Sequence, residues 1–140
     1  MTRIPVISLV LLLFSSDLIA GQLYFCPPAE LVKENEKNIS PWKSNKLFWT
    51  ISYRGWPYPE KIAFDQVFFF IKENKIDCRY KWINPKEEGT YLWTSVDLNP
   101  DANAKIYVTG EHWKKISQGM QCSSGRPETC AFEIKVKKAN

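Results

Sequence analysis

Between Ile76 and Trp82, four apolar residues (Ile76, Cys78, Tyr80, Trp82) alternate strictly with three charged ones (Asp77, Arg79, Lys81). In an extended strand successive side chains point to opposite faces, so this segment has one greasy side and one charged side. A helix, repeating every 3.6 residues, would scatter both sets around its axis. The same period of two recurs elsewhere. Leu47, Trp49, Ile51 and Tyr53 alternate with Phe48, Thr50, Ser52 and Arg54, and Phe132, Ile134 and Val136 alternate with Glu133, Lys135 and Lys137. Tyr91 to Val96 reads as a further strand and Ile106 to Thr109 as a short one.

The run Phe64 to Ile71 fits a helix and a strand equally by spacing, but three consecutive Phe (Phe68, Phe69, Phe70) favour a strand buried on both faces. Glu73-Asn74-Lys75 then turns it into the Ile76 strand as a hairpin, and Glu87-Glu88-Gly89 reads as a charged hairpin turn. One short helix is expected near the front. Pro27 and Pro28 suit its first turn, Ala29 to Lys37 holds good helix formers, and Asn38-Ile39-Ser40-Pro41 ends it. The expected fold is mainly β, a small antiparallel β-sandwich or barrel with one short N-terminal helix. With 140 residues the chain has room for one domain.

The N-terminus reads as an export signal. Arg3 precedes the apolar run Ile4 to Phe14, then Ser15-Ser16-Asp17 leads to the small pair Ala20-Gly21. An uncleaved membrane anchor is the competing reading, but the run is shorter than the roughly 20 apolar residues a spanning helix needs. The expected division is therefore a signal peptide at 1–20 and a disulfide-stabilised β domain at 21–140. Removing the signal takes away Arg3 and Asp17, one charge of each sign, so the net charge stays at +4.

All four cysteines (Cys26, Cys78, Cys122, Cys130) lie beyond the expected cut. An even number of Cys in an exported chain implies two disulfides, with three connectivities open. Cys26–Cys78 with Cys122–Cys130 is favoured, because Ser123 to Thr129 is a turn-rich loop able to bring its flanks together. Zinc is not expected. The Cys intervals fit no finger or ribbon, and His112 is the sole histidine.

Taken together, the leader, Cys26-Pro27-Pro28, the Trp-bearing strands, Cys78-Arg79-Tyr80 and the late Cys122 and Cys130-Ala131-Phe132 resemble a bacterial family of small exported proteins. That family is classed as a domain of unknown function. The resemblance implies a periplasmic or secreted location and brings no catalytic residue with it.

Few constellations suggest chemistry. Asp97, Asn99, Asp101 and Asn103 have the alternate spacing of a calcium loop, yet Ala102 stands where the sharp turn needs Gly and Val108 where a bidentate Glu belongs. An Asx-rich turn is the simpler reading. Carboxylates for glycoside hydrolysis can be drawn from Glu60, Asp65, Glu87, Glu88, Asp97 or Asp101, but the chemistry needs a separation that sequence does not give. His112, with Glu111 and Arg126, is the candidate acid–base group of a small secreted hydrolase, such as a nuclease. No nucleophile elbow, phosphate-binding Gly loop or His-Glu-x-x-His motif is present.

The aromatic residues carry the leading expectation. Of six Trp, Trp49, Trp82 and Trp93 sit in strand patterns and are expected in the core. Trp56 instead lies in Arg54-Gly55-Trp56-Pro57-Tyr58-Pro59, where one glycine and two prolines make a stiff loop. A preorganised aromatic loop loses little entropy on binding. Trp56 and Tyr58, and more faintly Trp42, are therefore the expected contact residues of a non-catalytic binding module for a protein or a glycan. No cofactor, metal or nucleic acid is expected. The dispersed lysines (Lys43, Lys46, Lys61, Lys114, Lys115, Lys135) suggest mild attraction to anionic envelope surfaces.

Overall fold

The computed structural model describes residues 22–98, 100 and 103–136. The expected signal peptide lies outside these residues. The chain is mainly β; among the described residues it has one α-helix, α1 (Ala29–Glu34), a single 3-10 turn at Pro127–Thr129, and nine strands. These are β1 (Trp42–Ser44), β2 (Leu47–Arg54), β3 (Ala63–Phe70), β4 (Lys75–Ile83), β5 (Tyr91–Leu98), β6 (Ala104–Val108), β7 (Trp113–Ile116), β8 (Gly119–Cys122) and β9 (Phe132–Val136). Seven strands form one antiparallel sheet in the order β1-β2-β5-β4-β3-β8-β7, and β6 pairs with β9 in a second.

The strongest alternation in the sequence becomes the centre of the large sheet. Strand β4 turns Ile76, Cys78, Tyr80 and Trp82 inward, where they join Trp49, Val67, Val96 and Leu98. The small sheet contributes Ile106 and Phe132 to the same core, and α1 contributes Val32. Phe132 meets Trp49 edge-on at 6.4 Å. Each fully buried side chain of this kind stabilises the fold by roughly 1.5–3 kcal/mol.

Both expected disulfides are formed, Cys26–Cys78 and Cys122–Cys130. The first fastens the segment before α1 to the inner face of β4. Two residues further along β4, the Tyr80 hydroxyl donates a 2.5 Å hydrogen bond to the Pro27 carbonyl, so that segment is held at two adjacent points. The helix is shorter than the expected span to Lys37. It stops where the Asn35 side chain donates back to the Leu31 carbonyl at 2.9 Å, an alternative to continuing the helical ladder. Among the described residues no helix is long and apolar enough to cross a membrane.

The turn between β3 and β4 links the two sheets. Asn74 adopts φ 51°, a left-handed conformation that Asn tolerates. Its carboxamide nitrogen donates to the Ala104 carbonyl at 2.8 Å, and its oxygen accepts from the Ile106 N–H at 3.0 Å. One side chain thus satisfies two backbone groups on the outer edge of β6, much as a neighbouring strand would.

Two expectations about the strands are corrected. The Phe run is a strand, but not one buried on both faces. Val67 and Phe69 point into the core, while Phe68 and Phe70 stand on the open face with parallel rings 5.9 Å apart. Trp93 is not a core residue. It shares the phase of Tyr91, Ser95 and Asp97, and the opposite phase of β5 (Thr94, Val96, Leu98) faces inward. The residue after His112 belongs to the fold. Trp113 begins β7, is buried, and donates from its indole to the Ala131 carbonyl at 2.9 Å.

Candidate binding site

Among the described residues, the small sheet and α1 cover only one face of the large sheet. The other face carries Tyr91, Trp93, Ser95 and Asp97 from β5, Lys75, Asp77, Arg79 and Lys81 from β4, and Gln66, Phe68 and Phe70 from β3, aligned by the strand register. On β2 the alternation slips at a bulge between Ile51 and Tyr53. A bulge re-aims the residues beyond it. Tyr53, in phase with core residues by sequence, therefore lies on the open face and stacks on Trp93 with ring centroids 5.2 Å apart. The pair stays accessible, Tyr53 at 47% and Trp93 at 44% exposure.

The Gly55–Pro59 loop begins at this same end of the sheet. The Gly55 N–H donates to the Trp93 carbonyl at 2.9 Å. A Cβ at position 55 would come within 2.6 Å of that carbonyl oxygen and 3.1 Å of the Trp82 ring, so only glycine admits this approach. The Trp82 indole donates to the Pro57 carbonyl at 3.0 Å, and the Trp56–Pro57 peptide is cis. Tyr58 lies against Trp82 with centroids 5.0 Å apart, and Lys33 and Arg54 sit over its ring at 4.9 and 5.5 Å. Burial, reinforced by the nearby Glu36 carboxylate, pushes the Tyr58 phenol up to about 12. Tyr58 is thus chiefly the footing of the loop. Trp56, 72% exposed, is its displayed ring.

The remaining sequence candidates are dispersed. Trp42 is 6% exposed, which corrects its assignment as a contact residue. Strand β1 pairs it with Trp49, and that register turns its ring into the core. His112 is exposed, 3.9 Å from the still more exposed Glu111. Arg126 stands in the Cys122–Cys130 loop, its backbone bonded to Ser124 and Thr129, and no hydrogen bond or ion pair joins it to His112. The alternative catalytic grouping is thus joined only between His112 and Glu111 among the described residues. Of the calcium-like spacing, Asp97 belongs to β5 and binds Lys75 at 2.7 Å, while Asn99, Asp101 and Ala102 lie outside the described residues. Among the described residues no three His, Cys, Asp or Glu converge as metal ligands.

The open face also holds a shallow groove of about 300 Å³, lined by Asp65, Gln66, Arg79, Lys81, Tyr91, Leu92 and Trp93. Its charges are matched in pairs. Lys81 reaches Asp65 at 3.3 Å and Arg79 reaches Asp77 at 3.5 Å. Arg79 also lies 4.3 Å over the Phe68 ring, and Lys81 4.8 Å over the Tyr91 ring. Beyond the groove along the same two strands, Asp77 and Asp97 face each other across β4 and β5. Burial above all, and then the Asp97 charge, raise Asp77 to about 6 against the opposing pull of Arg79 and Lys75. Sequence reasoning missed this groove. Its one early trace was the charged phase of β4, Asp77-Arg79-Lys81. A scan of protein-family models, a search of curated proteins and a search of solved structures each found no match to this chain.

Proposed function

We propose that this protein is an exported, non-catalytic binding module whose contact surface is formed by Trp56 and the Tyr53–Trp93 pair. The observation that carries the reading is their common placement. Two accessible rings, Tyr53 and Trp93, stack on each other on the open sheet face, and a third, Trp56, is displayed by a loop whose Gly55 N–H is bonded to the Trp93 carbonyl. Rings held this way present wide apolar surface with little rotamer freedom left to lose, which is the economy that favours Tyr and Trp at binding surfaces. The Trp56 loop keeps the role expected from sequence, and the bulge of β2 adds Tyr53 to it.

Export is supported by the basic, apolar, polar and small order of residues 1–21 and by two disulfides in the following chain. The resemblance to small exported bacterial proteins agrees with that location. A catalytic role for His112 has less support, since among the described residues the exposed imidazole is paired only with its exposed neighbour Glu111, at 3.9 Å.

The test compares wild-type protein with the double variant Trp56→Ala/Tyr53→Ala on a glycan array and a peptide array. Wild type is expected to mark a defined subset of spots, and the variant to lose at least about tenfold in affinity, roughly 1.4 kcal/mol. Its melting temperature should stay close to wild type. Unchanged binding, or a collapse of thermal stability, would show that these rings serve the fold instead.

A further inference from the structure

Resting on that binding reading, we infer that the groove beside Trp93 is a subsite for an uncharged glycan, with the Trp93 ring as stacking platform and Asp65, Gln66, Arg79 and Lys81 as hydroxyl partners. Three observations converge on this ligand class.

The first is the chemistry of the lining. A sugar ring presents axial and equatorial C–H groups that suit an aromatic face, and hydroxyls that each donate and accept. The groove offers both kinds of surface. Trp93 and Tyr91 stand on one side, and on the other a carboxylate, an amide, a guanidinium and an ammonium group supply acceptors and donors together.

The second is charge. Each cation of the groove already faces an anion, Lys81 with Asp65 and Arg79 with Asp77. A polyanion would meet Asp65 at close range and find Arg79 already engaged by Asp77 beneath it, and a polycation would meet Lys81 and Arg79. Like charges so juxtaposed cost binding energy, so compensated pairs discriminate against both. Neutral hydroxyls bridge such pairs without penalty.

The third is form. About 300 Å³ lies at the small end of the roughly 300–1,000 Å³ range of small-ligand sites, and the groove is open along the sheet. That suits one part of a longer chain that continues past the site toward Tyr53 and Trp56.

The experiment titrates the full exported chain with cellohexaose, chitohexaose and maltohexaose as neutral probes. Polygalacturonate and heparin serve as anionic probes, and an oligolysine as a cationic one. Binding is read from the indole N–H resonances of Trp93 and Trp56 and from calorimetry. At least one neutral hexasaccharide should shift the Trp93 resonance and bind at least tenfold more tightly than any charged probe. Trp93→Ala should abolish that binding, and Trp93→Phe should restore a substantial part of it, since a smaller ring still stacks. Lys81→Met should leave a charged groove and weaken the neutral probe while raising affinity for oligolysine.

Tighter binding of heparin or polygalacturonate would overturn the inference, as would failure of every hexasaccharide to shift Trp93. If only the Trp56 resonance moves, and moves with a peptide from the array, the groove assignment is refuted while the binding reading stands. If no probe and no array spot responds to Trp56→Ala/Tyr53→Ala, the binding reading itself fails.

Discussion

Replacing Cys26 and Cys78 together by Ala opens a ring spanning a sequence separation of 52, whereas replacing Cys122 and Cys130 opens one of only 8. Closing a ring removes conformations from the unfolded chain in proportion to the logarithm of its size. The losses come to about 4 kcal/mol for the long ring and about 2.5 kcal/mol for the short one. All four sulfurs are buried, so the packing lost with them is similar in the two variants and largely drops out of the comparison. For a chain of this length each kcal/mol moves the melting temperature by roughly 3–6 °C. The Cys26→Ala/Cys78→Ala protein should therefore melt roughly 5–10 °C below the Cys122→Ala/Cys130→Ala protein. A second effect acts in the same direction. Helix α1 has six residues, far fewer than the roughly 12–15 an isolated helix needs, and it depends on the tether three residues before it. The assay is paired calorimetric and urea unfolding of the two variants at one pH, with thiol titration confirming that the remaining bridge is intact. Equal melting temperatures, or the short-ring variant melting lower, would refute the chain-entropy reasoning.

Two further outcomes follow from the same geometry. Gly55→Ala drives a methyl group against the Trp93 carbonyl oxygen and the Trp82 ring, so a loss of about 1–3 kcal/mol is expected in urea unfolding. A neutral result would mean that the loop approaches the sheet less closely than described. Asp77 titrates near 6 in the folded chain and at its ordinary value, 3.8, when unfolded. Below pH 3.8 both states are protonated and the group has no effect. Between about pH 4 and 6 the unfolded chain releases its proton while the folded one keeps it, so this group's contribution to stability falls as pH rises and then stays low. Asp77→Asn should flatten that decline in a pH series of unfolding curves, and an unchanged slope would assign it to another group.

How far the sequence led depended on whether the two phases of a strand differ in polarity. Strand β4 was fully legible because Asp77, Arg79 and Lys81 oppose four apolar residues. Strand β5 was not, since Tyr91, Trp93, Leu92 and Val96 put apolar side chains in both phases and leave the inward one undecided. The bulge of β2 was invisible for a different reason. It adds a residue to one strand relative to its neighbour, a property of the pair that no single strand carries. That slip displays Tyr53. Trp42 failed in the same way, as its burial follows from pairing with Trp49. The stiff loop around Trp56 was legible because Gly and Pro act locally, and both disulfides followed from cysteine number and a turn-rich spacer. The groove was out of reach, because Asp65, Arg79, Lys81 and Trp93 come from three strands and meet only through register.

The carboxamide of Asn74 ties events that are far apart in the chain. Residues 104–106 are berthed on a side chain at the tip of the β3–β4 hairpin. The smaller sheet is thereby pinned to a turn thirty positions earlier in the chain. Any change that loosens the hairpin tip reaches the far layer of the molecule directly, with no intervening core residue needing to move.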